Sequence, residues 1–149
     1  MSESQVVEEW NRLYNIGARH LFVVQDNLLN SPRAAIAMCD ALSRENPGIT
    51  WNAYATLPQL SSEVAKWLGR GGCKGLYLGI DAVSEAQRVV FNKRFYRGND
   101  KLRARIEELH DAGITPTCAF ILDLSTFDRD EAEFVFRIAA FCAEAGAVI

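Results

Sequence analysis

The feature that most constrains this chain is an alternation. Short apolar runs recur along its 149 residues, each separated from the next by a stretch with helical spacing. "HLFVVQ" (20–25), "ITWNAYA" (49–55), "KGLYLGI" (74–80) and "TPTCAFIL" (115–122) have strand length and strand composition, and "AVI" (147–149) reads as the start of one more. "HLFVVQ" is continuous enough to suit a strand buried on both faces. No Asn-Gly or comparable two-residue turn joins any two of these runs, so hairpins are not expected. Strands separated by helices must pair in parallel, through right-handed crossovers.

The helical stretches carry their own start and stop signals. Residues 4–16 place Val6, Val7, Trp10, Leu13 and Tyr14 on one face, and Gly17 is positioned to end the helix. Ser31-Pro32 supplies a cap and a first-turn proline for a helix reaching about residue 45, which "NPG" (46–48) breaks. Pro58, Ser61 and Ser62 open a helix through Val64, Trp67 and Leu68. Ser84 with Gln87 fits a capping box for "SEAQRVVFNK". Leu102, Ile106 and Leu109 mark a helix stopped by Gly113, and Asp128 with Glu131 opens a long one over 129–144, ended by Gly146.

Two architectures satisfy this order: an open doubly wound sheet and part of a (βα) barrel. Repeats of roughly 30 residues match one eighth of a barrel of about 250. The expected fold is therefore α/β, with four to five parallel strands forming a partial, half TIM-like barrel, as a single domain over residues 1–149.

Composition narrows the function classes. A net charge of −3 gives no bulk electrostatic reason to bind nucleic acid or an anionic membrane. No apolar run approaches the roughly 18 residues of a spanning helix, and a cytoplasmic location is expected. Cys39, Cys73, Cys118 and Cys142 lie far apart without a CxxC, as reduced, buried thiols would. With only His20 and His110 besides, a zinc site built by this chain is not expected.

Parallel α/β folds bind ligands beyond the C-terminal ends of their strands. That rule selects Gln25, Asp26 and Asn27 after the first run, Tyr54 and Thr56 after the second, Asp81 and Ser84 after the third, and Asp123 and Ser125 after the fourth. Each has a plainer reading beside the functional one. Asp26 and Asn27 suit an Asx turn, Asp81 a helix cap, and Lys93, Arg94 and Arg97 a solvated basic face. The glycines at 71, 72, 75 and 79 suit tight turns and close packing, since no phosphate-binding glycine motif follows a strand. Neither histidine stands at a strand's C-terminal end, so a nucleophilic triad has nothing to assemble around. Acids at these ends suit sugar hydroxyls or a cationic amine.

In order along the chain, "VVEEWNRLYNIGARHLFVVQDNLLNSP", "WNAYATLPQLSSEVAKWLGRGGCKGLYLGIDAVSEAQRVVFNK" and "LRARIEELHDAGITPTCAFILDL" resemble the radical SAM superfamily. The likeness is to its cobalamin-associated and methylthiotransferase-like members. There a strand ends in Asp-Asp or Asp-Asn, a helix ends in Gly-Cys, and a strand reading "GIES" follows. The resemblance places Asp81 where the family has that glutamate, near the ribose and amine of S-adenosylmethionine, with a side chain one methylene shorter. It aligns Gln25, Asp26 and Asn27 with the acidic pair facing the cavity. Lys93 and Arg97 fall in the segment that often carries a basic residue near the ligand carboxylate.

Two departures accompany the resemblance. The family's CxxxCxxC loop, whose thiolates hold a [4Fe–4S] cluster, is absent, and the four scattered cysteines do not replace it. "ILDLSTFDRDEAE" stands where "GxPGET" is usual. The resemblance thus implies part of a radical SAM enzyme, covering roughly barrel units two to five. A whole enzyme of this kind would use S-adenosylmethionine and the cluster, with cobalamin in some members. This chain alone is expected to be inert, because nothing in it holds the cluster. It is also expected to form homo-oligomers through exposed half-barrel edges. The alternatives are a noncatalytic (βα) module binding a small molecule and a purely structural one.

Overall fold

The protein is described from a computed structural model, which covers residues 2–81, 99–120 and 129–149. Helix α1 (Glu3–Asn15) begins where Ser2 and Gln5 form a reciprocal capping box. Strand β1 (His20–Val23) follows, and then a single 3₁₀ turn, Leu28–Asn30. Helix α2 (Pro32–Glu45) starts with proline in its first turn, and Ser31 Oγ accepts from the Ala34 N–H. Strand β2 (Thr50–Ala55), helix α3 (Ser62–Arg70) and strand β3 (Cys73–Asp81) come next. Helix α4 (Asn99–Asp111), strand β4 (Thr115–Phe120) and helix α5 (Arg129–Glu144) complete the helices and strands among the described residues.

The strands form one parallel sheet in the order β1-β2-β3-β4. Spatial order follows chain order, which decides between the two architectures. A doubly wound sheet reverses its strand order at the ligand crevice, whereas a barrel adds each strand beside the last. Val148 extends the progression. It pairs in parallel with Thr117, its N–H donating to Pro116 O (2.9 Å) and its carbonyl accepting from the Cys118 N–H (2.8 Å). The expectation of another strand beginning at "AVI" is met by that pairing. The sheet is open among the described residues.

Period-two alternation sends one side of each strand to the helices. Trp51, Ala53 and Ala55 from β2, Leu76 and Leu78 from β3, and Cys118 from β4 are buried beneath α1 to α5 in one continuous core. Trp51 carries much of it. Its ring meets Trp10 of α1 edge-on at 6.1 Å, and its indole N–H donates to Gly71 O at 2.8 Å, so the one polar atom of this buried side chain is satisfied. Gly72 lies beside it at φ 91°, where an added Cβ would come within 2.9 Å of Asn46 Nδ2 and 3.0 Å of Ile49 O. Only glycine fits both that backbone and that space.

Two sequence expectations are corrected. β1 ends at Val23, and its residues are exposed or half-buried in alternation instead of buried on both faces. It is an edge strand with the helix layer on one side only, so its other face is open. Pro58 does not open α3: Leu57–Gln59 forms a separate 3₁₀ turn, and Ser61 then caps α3 by accepting from the Val64 N–H. Gly75 serves close approach, because the Asn52 amide lies across it and a Cβ there would sit 2.9 Å from Asn52 Oδ1. The expected helix over "SEAQRVVFNK" lies outside the described residues.

Candidate functional site

The C-terminal ends of the four strands share one edge of the sheet. Its best-defined part joins the exits of β1 and β2. Asn27 is buried, and its side-chain oxygen accepts from the Leu29 N–H (3.1 Å) and from the Thr56 N–H (3.2 Å). Its Nδ2 donates to Thr56 Oγ1 (3.0 Å) and to Asn30 Oδ1 (3.0 Å). Thr56 Oγ1 in turn donates to Gln59 Oε1 (2.8 Å). Two donors and two acceptor positions are all that a carboxamide offers. Asn27 is therefore a filled clasp that fixes the β1 exit loop to the end of β2. The Asx-turn reading of this segment holds for Asn27, through its bond to Leu29.

Its neighbours differ. Asp26 is exposed and makes no hydrogen bond to a described residue. Gln25 is also exposed, and its backbone N–H donates to Val23 O in a tight turn (3.2 Å). The clasp beside them thus holds a carboxylate and an amide free at the edge of the sheet. A cleft of ≈ 390 Å³ opens on the helix side of this exit, lined in part by Glu3, Trp10, Gln25, Asn30 and Met38.

Asp81 closes β3, its backbone paired with Phe120 across a register shift that follows Gly79. The third strand thus ends on an acid at the edge where parallel sheets take ligands. Its side chain lies outside the described part, as do Lys93, Arg94, Arg97, Ser84, Asp123 and Ser125. Both histidines sit away from this edge. His20 Nδ1 lies 2.8 Å from Thr50 Oγ1 where β1 and β2 begin, and His110 Nε2 lies 3.0 Å from Gly146 O.

All four cysteines are buried free thiols on α2, β3, β4 and α5. Burial pushes Cys39 and Cys73 up to about 12. The Cys142 thiol beside Cys118, together with burial, pushes Cys118 up as well. No group of three potential metal-ligating side chains occurs among the described residues. Thiols buried in a core, on separate elements, do not fit an iron–sulfur cluster, which needs converging thiolates. No helix among the described residues is long and apolar enough to cross a membrane.

One cluster in the sheet escaped the sequence reading, which singled out only Tyr54 among its members and placed it past the strand, whereas it lies within β2. On the face turned away from the helices, Phe22, Tyr54 and Tyr77 from three successive strands touch one another. Their centroids are 5.0 Å (Phe22–Tyr54), 5.4 Å (Phe22–Tyr77) and 5.7 Å (Tyr54–Tyr77) apart. Phe22 is 40% exposed and Tyr54 45%. The signal was the alternation itself: each ring stands one position from a helix-facing residue on its own strand.

Comparison with known proteins places this geometry. No protein-family model matches the chain. An uncharacterized methyltransferase of Pyrococcus horikoshii is 29% identical over 139 residues, which is 93% of this chain and 30% of that protein. The radical S-adenosylmethionine methyltransferase TsrM of Kitasatospora setae, solved with cobalamin and a [4Fe–4S] cluster bound, superposes with a TM-score of 0.79 at 16% identity. That match covers 94% of this chain and 29% of TsrM. The cobalamin-dependent S-adenosylmethionine radical enzyme OxsB, with aqua-cobalamin bound, gives 0.73 at 12% identity, over 95% of this chain and 22% of OxsB. The chain spans about 30% or less of the length of these proteins.

Proposed function

From a chain whose fold is that of a stretch of the radical S-adenosylmethionine methyltransferase barrel, we propose that it forms the S-adenosylmethionine-binding side of such an enzyme. The observation carrying this is the strand order: four parallel strands, added one beside the next, bring the exits with Asp26, Asn27, Thr56 and Asp81 to a single edge. The methyltransferase relative, matched along 93% of the chain, supports the same reading.

In this proposal Asp81 meets the amine or ribose hydroxyls of the ligand, and Asp26 adds a second carboxylate at the β1 exit. Asn27 does not touch the ligand; its filled clasp holds the loop that presents Asp26. Lys93 and Arg97 pair with the ligand carboxylate. A [4Fe–4S] cluster, where a whole enzyme of this kind held one, would supply the electron for cleaving S-adenosylmethionine. The buried thiols here do not fit it, so the cluster is placed outside these 149 residues. The noncatalytic binding module draws support from those same thiols. Self-association through the open edge of β1 belongs to the same proposal; a monomer by light scattering at micromolar concentration contradicts it.

Calorimetric titration of S-adenosylmethionine into the chain tests the reading. Saturable binding is expected, with Asp81→Ala weakening it at least about tenfold through loss of a charge-assisted bond. Binding indifferent to Asp81→Ala removes the assigned role. Absence of binding at millimolar ligand overturns the proposal and leaves the structural module.

A further inference from the structure

The face of the sheet turned away from the helices is built unlike the inside of a packed barrel. Packed (βα) barrels fill their interior with layers dominated by Val, Ile and Leu. Here the strands present Phe22, Asn52, Gly75 and Thr115 in one row and Tyr54, Tyr77 and Thr117 in the next, as the register pairs them. The only branched aliphatic side chain paired into these rows among the described residues is Val148, opposite Thr117. The remaining positions carry rings, an amide, hydroxyls or no side chain.

Two consequences follow from that composition. The amide of Asn52 and the hydroxyls of Tyr54, Tyr77 and Thr117 bond to no described residue, and all four side chains lie on the open face. Closing an aliphatic layer over them would strand these groups at a cost of about 1–3 kcal/mol each. A wall of this kind needs water or a hydrogen-bonding ligand against it. The rings meet at tilted or edge angles of 53–65° and stay about two-fifths exposed at Phe22 and Tyr54, so they satisfy one another only in part. Their free faces suit a further flat ring, which gains from offset or edge-on contact beyond simple area burial.

We infer that Phe22, Tyr54 and Tyr77 form a binding platform for a planar aromatic or heteroaromatic ring carrying hydrogen-bonding substituents, with Asn52 and Thr117 meeting those substituents. The inference rests on the proposed function in that it makes this the substrate side of the same barrel: the platform selects what reacts, while the strand exits hold S-adenosylmethionine. Glycine at 75 leaves the space that the Asn52 amide occupies beside the rings.

The probes are benzamide and cyclohexanecarboxamide, which share a carboxamide and a six-membered ring and differ in planarity. Each is titrated into the 149-residue chain by NMR, following the tyrosine ring resonances. Benzamide is expected to bind saturably, to shift the Tyr54 and Tyr77 signals, and to bind about tenfold more tightly than its saturated counterpart. Tyr77→Leu, which keeps the apolar area, is expected to weaken benzamide about fivefold, with circular dichroism unchanged. Thr117→Val offers a milder second variant, with a loss of about threefold. Equal binding of the two compounds overturns the inference, as does benzamide affinity that survives both substitutions. S-adenosylmethionine is titrated separately: if it fails while the preference for benzamide holds, the cofactor reading falls and the ring platform stands.

Discussion

Replacing Asn27 with alanine probes the one part of the candidate edge whose bonding is complete. The substitution removes four hydrogen bonds of 3.0–3.2 Å, to Leu29 N, Thr56 N, Thr56 Oγ1 and Asn30 Oδ1. A typical bond contributes about 1 kcal/mol net, and a donor left buried without a partner costs more. The Leu29 N–H is such a donor, because Leu28 and Leu29 are buried. Asn30 and Thr56 keep access to water or to Gln59, which trims the total. The expected loss is about 3 kcal/mol, a fall in Tm of roughly 6–12 °C for a chain of this size. Asn27→Asp keeps both acceptor bonds and loses both donors, so about half the loss is expected. Asn30→Ala removes a single bond and should cost under about 1 kcal/mol. Urea denaturation followed by tryptophan fluorescence reads all three variants, Trp10 and Trp51 lying in the core. An Asn27→Ala loss no larger than that of Asn30→Ala would refute the clasp.

Two further outcomes follow from burial and backbone. Gly72→Ala should cost about 2–3 kcal/mol, since it combines a positive φ with displacement of Asn46 from its 2.7 Å bond to Ile49 O; Gly113→Ala, at φ 73° in open space, should cost only about 1 kcal/mol in the same urea assay. Burial pushes Cys39 and Cys73 up to about 12 from 9.0, so their contribution is full below pH 9 and is lost as pH rises from 9 towards 12; each should remove on the order of 1 kcal/mol of stability by pH 10, a loss that Cys39→Ala halves in a pH series of urea melts.

Much of the fold was legible because independent signals agree along the chain. Helical spacing and a glycine stop precede each apolar run, serines cap α1, α2 and α3, and the structure uses Gly17, Gly48, Gly72, Gly113 and Gly146 at positive φ between a helix and the strand after it. The barrel-like choice was open in the sequence because periodicity carries no strand order. The error at β1 has the same root. An apolar run such as "HLFVVQ" reports low polarity, not the number of neighbours, and an edge strand with one open face looks like a central one. At the candidate edge, the strand-end rule picked out Asp26, Asn27, Thr56 and Asp81 by position, because it needs only the order of elements. It did not separate the filled clasp from the free carboxylate beside it. That distinction lies in the partners Thr56 and Asn30, and Thr56 is 29 residues away from Asn27. The aromatic platform is likewise a property of register, with Phe22, Tyr54 and Tyr77 brought together by three strands.

The central claim is that this chain binds S-adenosylmethionine at the C-terminal edge of its sheet. Mapping backbone amide shifts during a titration with S-adenosylmethionine tests it most directly. The account predicts saturable shifts confined to the strand exits, at Gln25, Asp26, Thr56 and Asp81, with His20, Thr50, Lys74 and Thr115 at the opposite ends unmoved. Shifts concentrated at those opposite ends, or spread over the outer faces of the helices, would contradict it.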